Sequence, residues 1–256
     1  MAAGSKVVHS DTGTKSGALA ALLFVSGVLA LVYEIAWQRQ FSLVLGSAAA
    51  ATSAVLAAYF GGLGVGSWWV GRRAATYRRP LRVYALLEVL VGLGAILVGP
   101  LLQVVEGRLR DVNAIWGDTG STMAWVVRFG LVAATIALPT FCMGGTVPLL
   151  GALADAGRLR LGISAGLLYV VNTAGAALGA VSVPFLLFPT FGLHGMVVAA
   201  AILNFALAGV AWWLDARAPR EVRTPAGFAE ATGTAATETN KACLIVSSPW
   251  LPPECC

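Results

Sequence analysis

Apolar residues in this chain come in long unbroken runs, separated by short turns that carry most of its charge. From Phe41 to Val70 no residue is formally charged, a stretch longer than the roughly 20 apolar residues a helix needs to cross a bilayer. Within it Gly46, Ala50, Ala54, Ala58, Gly62 and Gly66 recur at every fourth position. Small residues at that interval let helix backbones approach closely where lipid gives apolar side chains no reason to associate. A four-residue repeat overshoots the helical turn by about 40° per step. The stripe therefore winds around its helix and is expected to meet two neighbours in succession. Directly behind it stand Arg72, Arg73, Arg78, Arg79 and Arg82. The pattern makes this helix the expected hub of a multi-pass bundle.

The same reading along the chain predicts six helices. Residues 1–16 are polar and expected to be disordered. Helix one then runs from Gly17 to Trp37, with no small-x-small cleavage site at its end, so it reads as an uncleaved first span rather than a signal peptide. Helix three starts at Pro80, a residue tolerated in a first turn, and runs to Val105. A polar loop over Glu106–Thr122 leads to helix four, Met123–Leu150. After a loop with Arg158 and Arg160 come helix five, Ser164–Phe188, a turn over Pro189–Gly192, and helix six, Leu193–Leu214. Residues 17–214 thus form one transmembrane domain. Residues 215–256, rich in Thr, Ala, Pro and Glu, read as a cytoplasmic linker or disordered tail.

Composition supports this class. With 58% hydrophobic and 11% charged residues, the chain could not cover the surface of a soluble domain. The fold class is therefore an all-α integral membrane protein. The net charge of +5 does not point to nucleic acid, because the basic residues sit in short turns and form no binding face. They set orientation instead. If the N-terminus is inside, all but Arg39, Arg108, Arg110 and Arg128 of the 17 basic residues fall on the inner side. Both termini are then cytoplasmic, at a bacterial inner membrane. Trp37, Trp116 and Trp125 would mark the outer interface, and Trp68, Trp69, Trp212 and Trp213 the inner one.

Candidate chemistry is confined to polar residues inside the spans, where ionisable groups are expensive. Glu34 and Arg128 lie at matching depth near the outer side. They form either an ion pair between helices one and four or part of a substrate site. Glu88 lies about 10 Å in from Pro80 by helical rise. It is either an acid hydrogen-bonded to a neighbouring helix or a carboxylate that attracts a cation or proton. Asn172 and Asn204 sit near mid-depth, where interhelical hydrogen bonding is the ordinary role. Pro139, Gly144, Gly145 and Pro148 are expected to interrupt helix four. Proline removes a backbone donor, and broken helices expose backbone at transporter sites; a packing kink is the simpler outcome. The glycines of Gly61–Gly66 lack dinucleotide spacing. Cys142, Cys243, Cys255 and Cys256 make no CxxC pair, and the histidines are His9 and His194 alone. Neither a metal nor a cofactor is expected.

Several ordered blocks carry a family resemblance. Ser26-Gly27-Val28-Leu29-Ala30-Leu31-Val32-Tyr33-Glu34-Ile35-Ala36-Trp37-Gln38-Arg39, with Leu43–Ser47 and Gly61–Ser67 after it, resembles the opening of the membrane part of fused major-facilitator/spermidine-synthase proteins. Pro139-Thr140 through Met143-Gly144-Gly145-Thr146-Val147-Pro148-Leu149-Leu150, and Gly166-Leu167-Leu168-Tyr169-Val170-Val171-Asn172-Thr173-Ala174-Gly175-Ala176, resemble later blocks of that module. The resemblance covers Gly17–Leu214. It implies a half-major-facilitator-like bundle and a polyamine connection. It also implies a cytoplasmic aminopropyltransferase domain, using decarboxylated S-adenosylmethionine, after the membrane part. No cofactor loop of that domain is visible after Leu214, so the enzymatic activity does not carry over to these residues, and the tail is expected to be a truncation, a frameshift or the end of a stand-alone module. Two functions follow as expectations. One is transport or handling of a cationic polyamine, with a homodimer or a second six-helix half as partner. The other is a non-transporting anchor for a fused or separate aminopropyltransferase. The lipid bilayer is the partner common to both.

Overall fold

The computed structural model describes residues 9–45, 48–116, 122–155 and 165–217. Expectations for residues 1–8, for the loop at 156–164 and for the tail from 218 lie outside the described residues. Helix α1 spans His9–Leu45, α2 Ala48–Arg73, α3 Pro80–Trp116, α4 Thr122–Asp155, α5 Ala165–Ser182 and α6 Phe188–Arg217. A 3₁₀ turn, Ala74–Thr76, follows α2, and a π-helical turn, Val183–Leu187, joins α5 to α6.

Several boundaries differ from those expected. Helix α1 begins at His9 instead of Gly17 and runs to Leu45, so the uncharged stretch Phe41–Val70 is shared between α1 and α2. An uncharged sequence carries no mark of where its turn falls. Helix α3 continues through Glu106–Trp116, because its Glu, Arg and Leu residues are good helix formers and polarity alone does not end a helix.

Among the described residues five stretches are long and apolar enough to cross a membrane: Gly17–Leu43, Thr52–Thr76, Pro80–Arg108, Val126–Ala154 and Ala165–Arg217. The last has 53 residues, more than twice the length one crossing takes. It is not a single rod. Gly192 has φ 65° and ψ −177°, a conformation open essentially only to glycine.

Contacts along the helices give their relative directions. Tyr84 and Glu88 of α3 bond to Leu22 and Ser26 of α1, so these two helices run parallel. On α3 and α6, Arg82 meets Asp215 while Glu88 meets Asn204, an antiparallel pairing. Gly175 and Gly179 of α5 lie against Phe24 and Val28 of α1, again parallel. The chain therefore reverses between Gly179 and Asn204, the interval that holds the bend at Gly192 inside α6.

Two helix pairs are in backbone contact. On α2 and α4, a Cβ added at Gly62 would strike Thr140, at Gly66 the Phe141 carbonyl, and at Gly144 the Leu63 backbone. On α1 and α5, Gly27 and Gly175 meet the Asn172 and Phe24 carbonyls. Of the small-residue stripe, Gly62 and Gly66 face α4; α2 as a whole packs mainly on α4 and next on α1. The hub, however, is α1, which touches all five other helices. Its buried face carries the bulk of the molecule: Leu22, Leu23, Tyr33, Trp37 and Phe41 are almost wholly enclosed.

Candidate functional site

Where α1, α3 and α6 meet, a chain of polar side chains is sealed in the core. Glu88 on α3 is 1% exposed. Its Oε1 accepts from Ser26 Oγ of α1 at 2.8 Å, and its Oε2 accepts from Asn204 Nδ2 of α6. Asn204 Oδ1 in turn accepts from Tyr33 OH of α1 at 2.7 Å. The Tyr84 hydroxyl donates to the Leu22 carbonyl at 3.3 Å. Each partner offers a donor where the carboxyl group offers an acceptor, so the junction is satisfied internally. Glu88 thus accepts hydrogen bonds from two neighbouring helices, α1 and α6. Asn204 hydrogen-bonds both α1 and α3.

Ser26 and Tyr33 were not among the residues singled out from the pattern. Seven positions apart, they lie on one helical face. That spacing was the available signal, though it does not say which helix the face meets.

Glu34 is also buried, at 6% exposure, but its surroundings differ. Gln38 Nε2, one turn along the same helix, donates to its Oε1 at 3.3 Å. Arg128 is buried on α4 and has contacts of its own. An ion pair with Glu34 is not among those formed by the described residues, and α1 and α4 touch only slightly. Matching depth places two residues at one level, not on facing sides. Next to Glu34 an aromatic stack runs from Tyr33 to Trp37 (5.6 Å between centroids) and on to Tyr59 of α2 (6.3 Å). Trp37 is fully buried, so it belongs to the core and not to the outer interfacial belt. The side chains of Trp116 and Trp125 lie outside the described residues. Trp37 Nε1 and the nearby Gln40 Oε1 are buried without a hydrogen-bond partner among the described residues.

Asn172 packs against Gly27, with its carbonyl and its side-chain oxygen both facing that glycine. Helix α4 runs as one helix through Pro139, Gly144, Gly145 and Pro148, so the expected interruption is absent. Gly144 and Gly145 instead admit Leu63 and Val70 of α2. Thr140 and Thr146 bond their hydroxyls to carbonyls in the preceding turn, which supplies donors near each proline. Among the described residues no His, Cys, Asp and Glu group could hold a metal.

At the end of the bundle where α2 finishes and α3 begins, Asp215 of α6 takes Arg82 Nε at 2.6 Å and Arg79 at 3.4 Å. This clamp was not expected, because Asp215 read as the first residue of the tail. The four tryptophans at this end, Trp68, Trp69, Trp212 and Trp213, are each about half exposed.

Three-helix polar junctions of this kind do not specify a reaction, and comparison with known proteins narrows the field. Over 189 residues the chain is 29% identical to a protein named polyamine aminopropyltransferase from Mycobacterium tuberculosis (strain ATCC 25618 / H37Rv), and equally to one of that name from Mycobacterium bovis. Over 182 residues it is 32% identical to another of that name from Corynebacterium efficiens. The matches take in 70% of this chain but only 32% and 31% of those relatives. The chain thus spans about a third of the length of the curated relatives it matches. The similarity supports a link to spermidine-synthase-related proteins. No family model matches the chain, and no solved structure matches it.

Proposed function

We propose that this chain is a membrane module of polyamine metabolism, with six crossings and its arginine-bearing turns in the cytoplasm, and that it seats an aminopropyltransferase at that face. The observation that carries this reading is the junction at Glu88. A carboxyl group that is sealed in the core and accepts from Ser26 and Asn204 on two other helices ties three helices together and shows no exposed face to a passing cation. The backbone-close pairs α2–α4 and α1–α5 add to a rigid, filled bundle, which is what an anchor needs. The relatives' name supports the kind of enzyme that would be seated. The count of six rests on the reversal at Gly192, within a stretch too long for one crossing.

A second reading, handling of a cationic polyamine within the bundle, is favoured by one specific observation. Glu34 is buried beside Tyr59 and Trp37, and carboxylates flanked by aromatic faces suit ammonium groups. Proteoliposomes holding the purified chain separate the two readings. The anchor reading expects no saturable uptake of radiolabelled spermidine, together with aminopropyl-transfer activity that follows the tagged chain into the membrane fraction. Saturable uptake that disappears in Glu34→Gln would replace it with the second reading.

A further inference from the structure

Four guanidinium groups at the arginine-bearing end lie over four indoles. Arg72 sits over Trp68 at 4.9 Å and Arg73 over Trp69 at 3.7 Å, both at the end of α2. Arg82 sits over Trp212 at 4.7 Å and Arg217 over Trp213 at 3.8 Å, where α3 meets the end of α6. The two groups differ in one respect. Asp215 already engages Arg82 and Arg79, whereas among the described residues no carboxylate pairs with Arg72 or Arg73.

A guanidinium that rests its face on an indole keeps its N–H edges free, and those edges match the oxygens of a phosphate. Arg72 and Arg73 are exposed and successive in the chain, and each presents such an edge at the end of α2. The indoles under them are 57% and 45% exposed, and farther along α2 Phe60 and Val65 face outward at 60% and 57%. The surface is therefore basic at its rim and apolar just behind it. Inorganic phosphate would use only the rim. A second copy of the chain would bring the same positive charge against it. A phospholipid uses both parts, its phosphate on the arginines and its acyl chains along α2.

We infer that the end of α2, at Arg72 and Arg73 over Trp68 and Trp69, is a binding site for the headgroup of an anionic phospholipid. The site is independent of whether the bundle anchors an enzyme or handles a cation.

The purified full chain in maltoside micelles, titrated with phosphatidylglycerol or phosphatidylcholine and read by native mass spectrometry, tests this. Phosphatidylglycerol is expected to be retained preferentially, and to be lost as salt rises. In Arg72→Gln/Arg73→Gln its retention should fall by about tenfold or more, since each basic group near an anionic surface contributes roughly 1 kcal/mol. Arg72→Lys/Arg73→Lys keeps the charge but loses the planar fork, and should fall in between. Arg39→Gln, whose guanidinium lies over Phe188 at the opposite end, should retain phosphatidylglycerol as the parent does. Equal retention of the two lipids by the parent chain, unchanged retention in the double Gln variant, or full displacement by millimolar inorganic phosphate would each overturn the assignment.

Discussion

At the scale of single residues, the junction of Ser26, Tyr33, Glu88 and Asn204 sets the stakes of substitution. Asn204 is oriented by Tyr33, whose hydroxyl donates to its oxygen, so its amide is fixed as a donor toward Glu88. Glu88→Gln should therefore be tolerated: one end of the new amide accepts from Asn204, and Ser26 can rotate its hydroxyl to accept from the other. Glu88→Leu leaves the Asn204 and Ser26 donors buried without an acceptor, at a cost of about 1–3 kcal/mol. Thermal unfolding in detergent should show Glu88→Gln near the parent and Glu88→Leu clearly lower. Tyr33→Phe removes one interhelical hydrogen bond, and such bonds within membranes average about 0.6 kcal/mol. A double-mutant cycle of Tyr33→Phe with Asn204→Ala should recover a coupling of that order; additivity would show that the bond contributes nothing.

At the scale of elements, glycine has two separate uses. Where helices touch, it makes room. A methyl group at Gly66 would run into the Phe141 carbonyl, while at Gly61, five residues earlier on the outward face, it meets nothing within 4 Å. Gly66→Ala should lower stability by about 1–3 kcal/mol and Gly61→Ala should leave it unchanged or raise it slightly, which unfolding in detergent would resolve. At the bend inside α6 the use is conformational. Gly192→Ala has free space around it but must hold φ near 65°, so it should cost about 1–3 kcal/mol without any steric clash. The small-residue interval was legible from the chain alone, because spacing on a helix is local geometry. The identity of the partner was not: nothing in Gly62 or Gly66 names Thr140 or Phe141.

For the molecule as a whole, the arginine-bearing end is the common feature of its fold and its proposed roles. There α2 stops, α3 starts and α6 returns to be clamped through Asp215. Because Arg79 and Arg82 are both more than a third exposed at their side chains, Asp215→Asn should change overall stability by less than about 1 kcal/mol. Orientation has a direct check. With Cys243, Cys255 and Cys256 replaced by Ser, a cysteine introduced at Thr76, in the turn between α2 and α3, should react with a membrane-impermeant thiol reagent only in inverted vesicles. Labelling in intact spheroplasts would reverse the topology and move the lipid-headgroup site to the other leaflet.

Some features of this protein follow from composition and local order alone: its helical, membrane-type character, the position of its basic turns and the small faces of its helices. All depend on residues close together in the chain, or on averages over it. Tertiary structure decided the rest. It made α1 and not α2 the centre, drew Trp37 from a supposed interface into the core, and joined Glu88 to Ser26 and Asn204. Those outcomes depend on how each helix is rotated about its axis and which neighbour it meets, and hydropathy carries almost no information about rotation when apolar residues line every side.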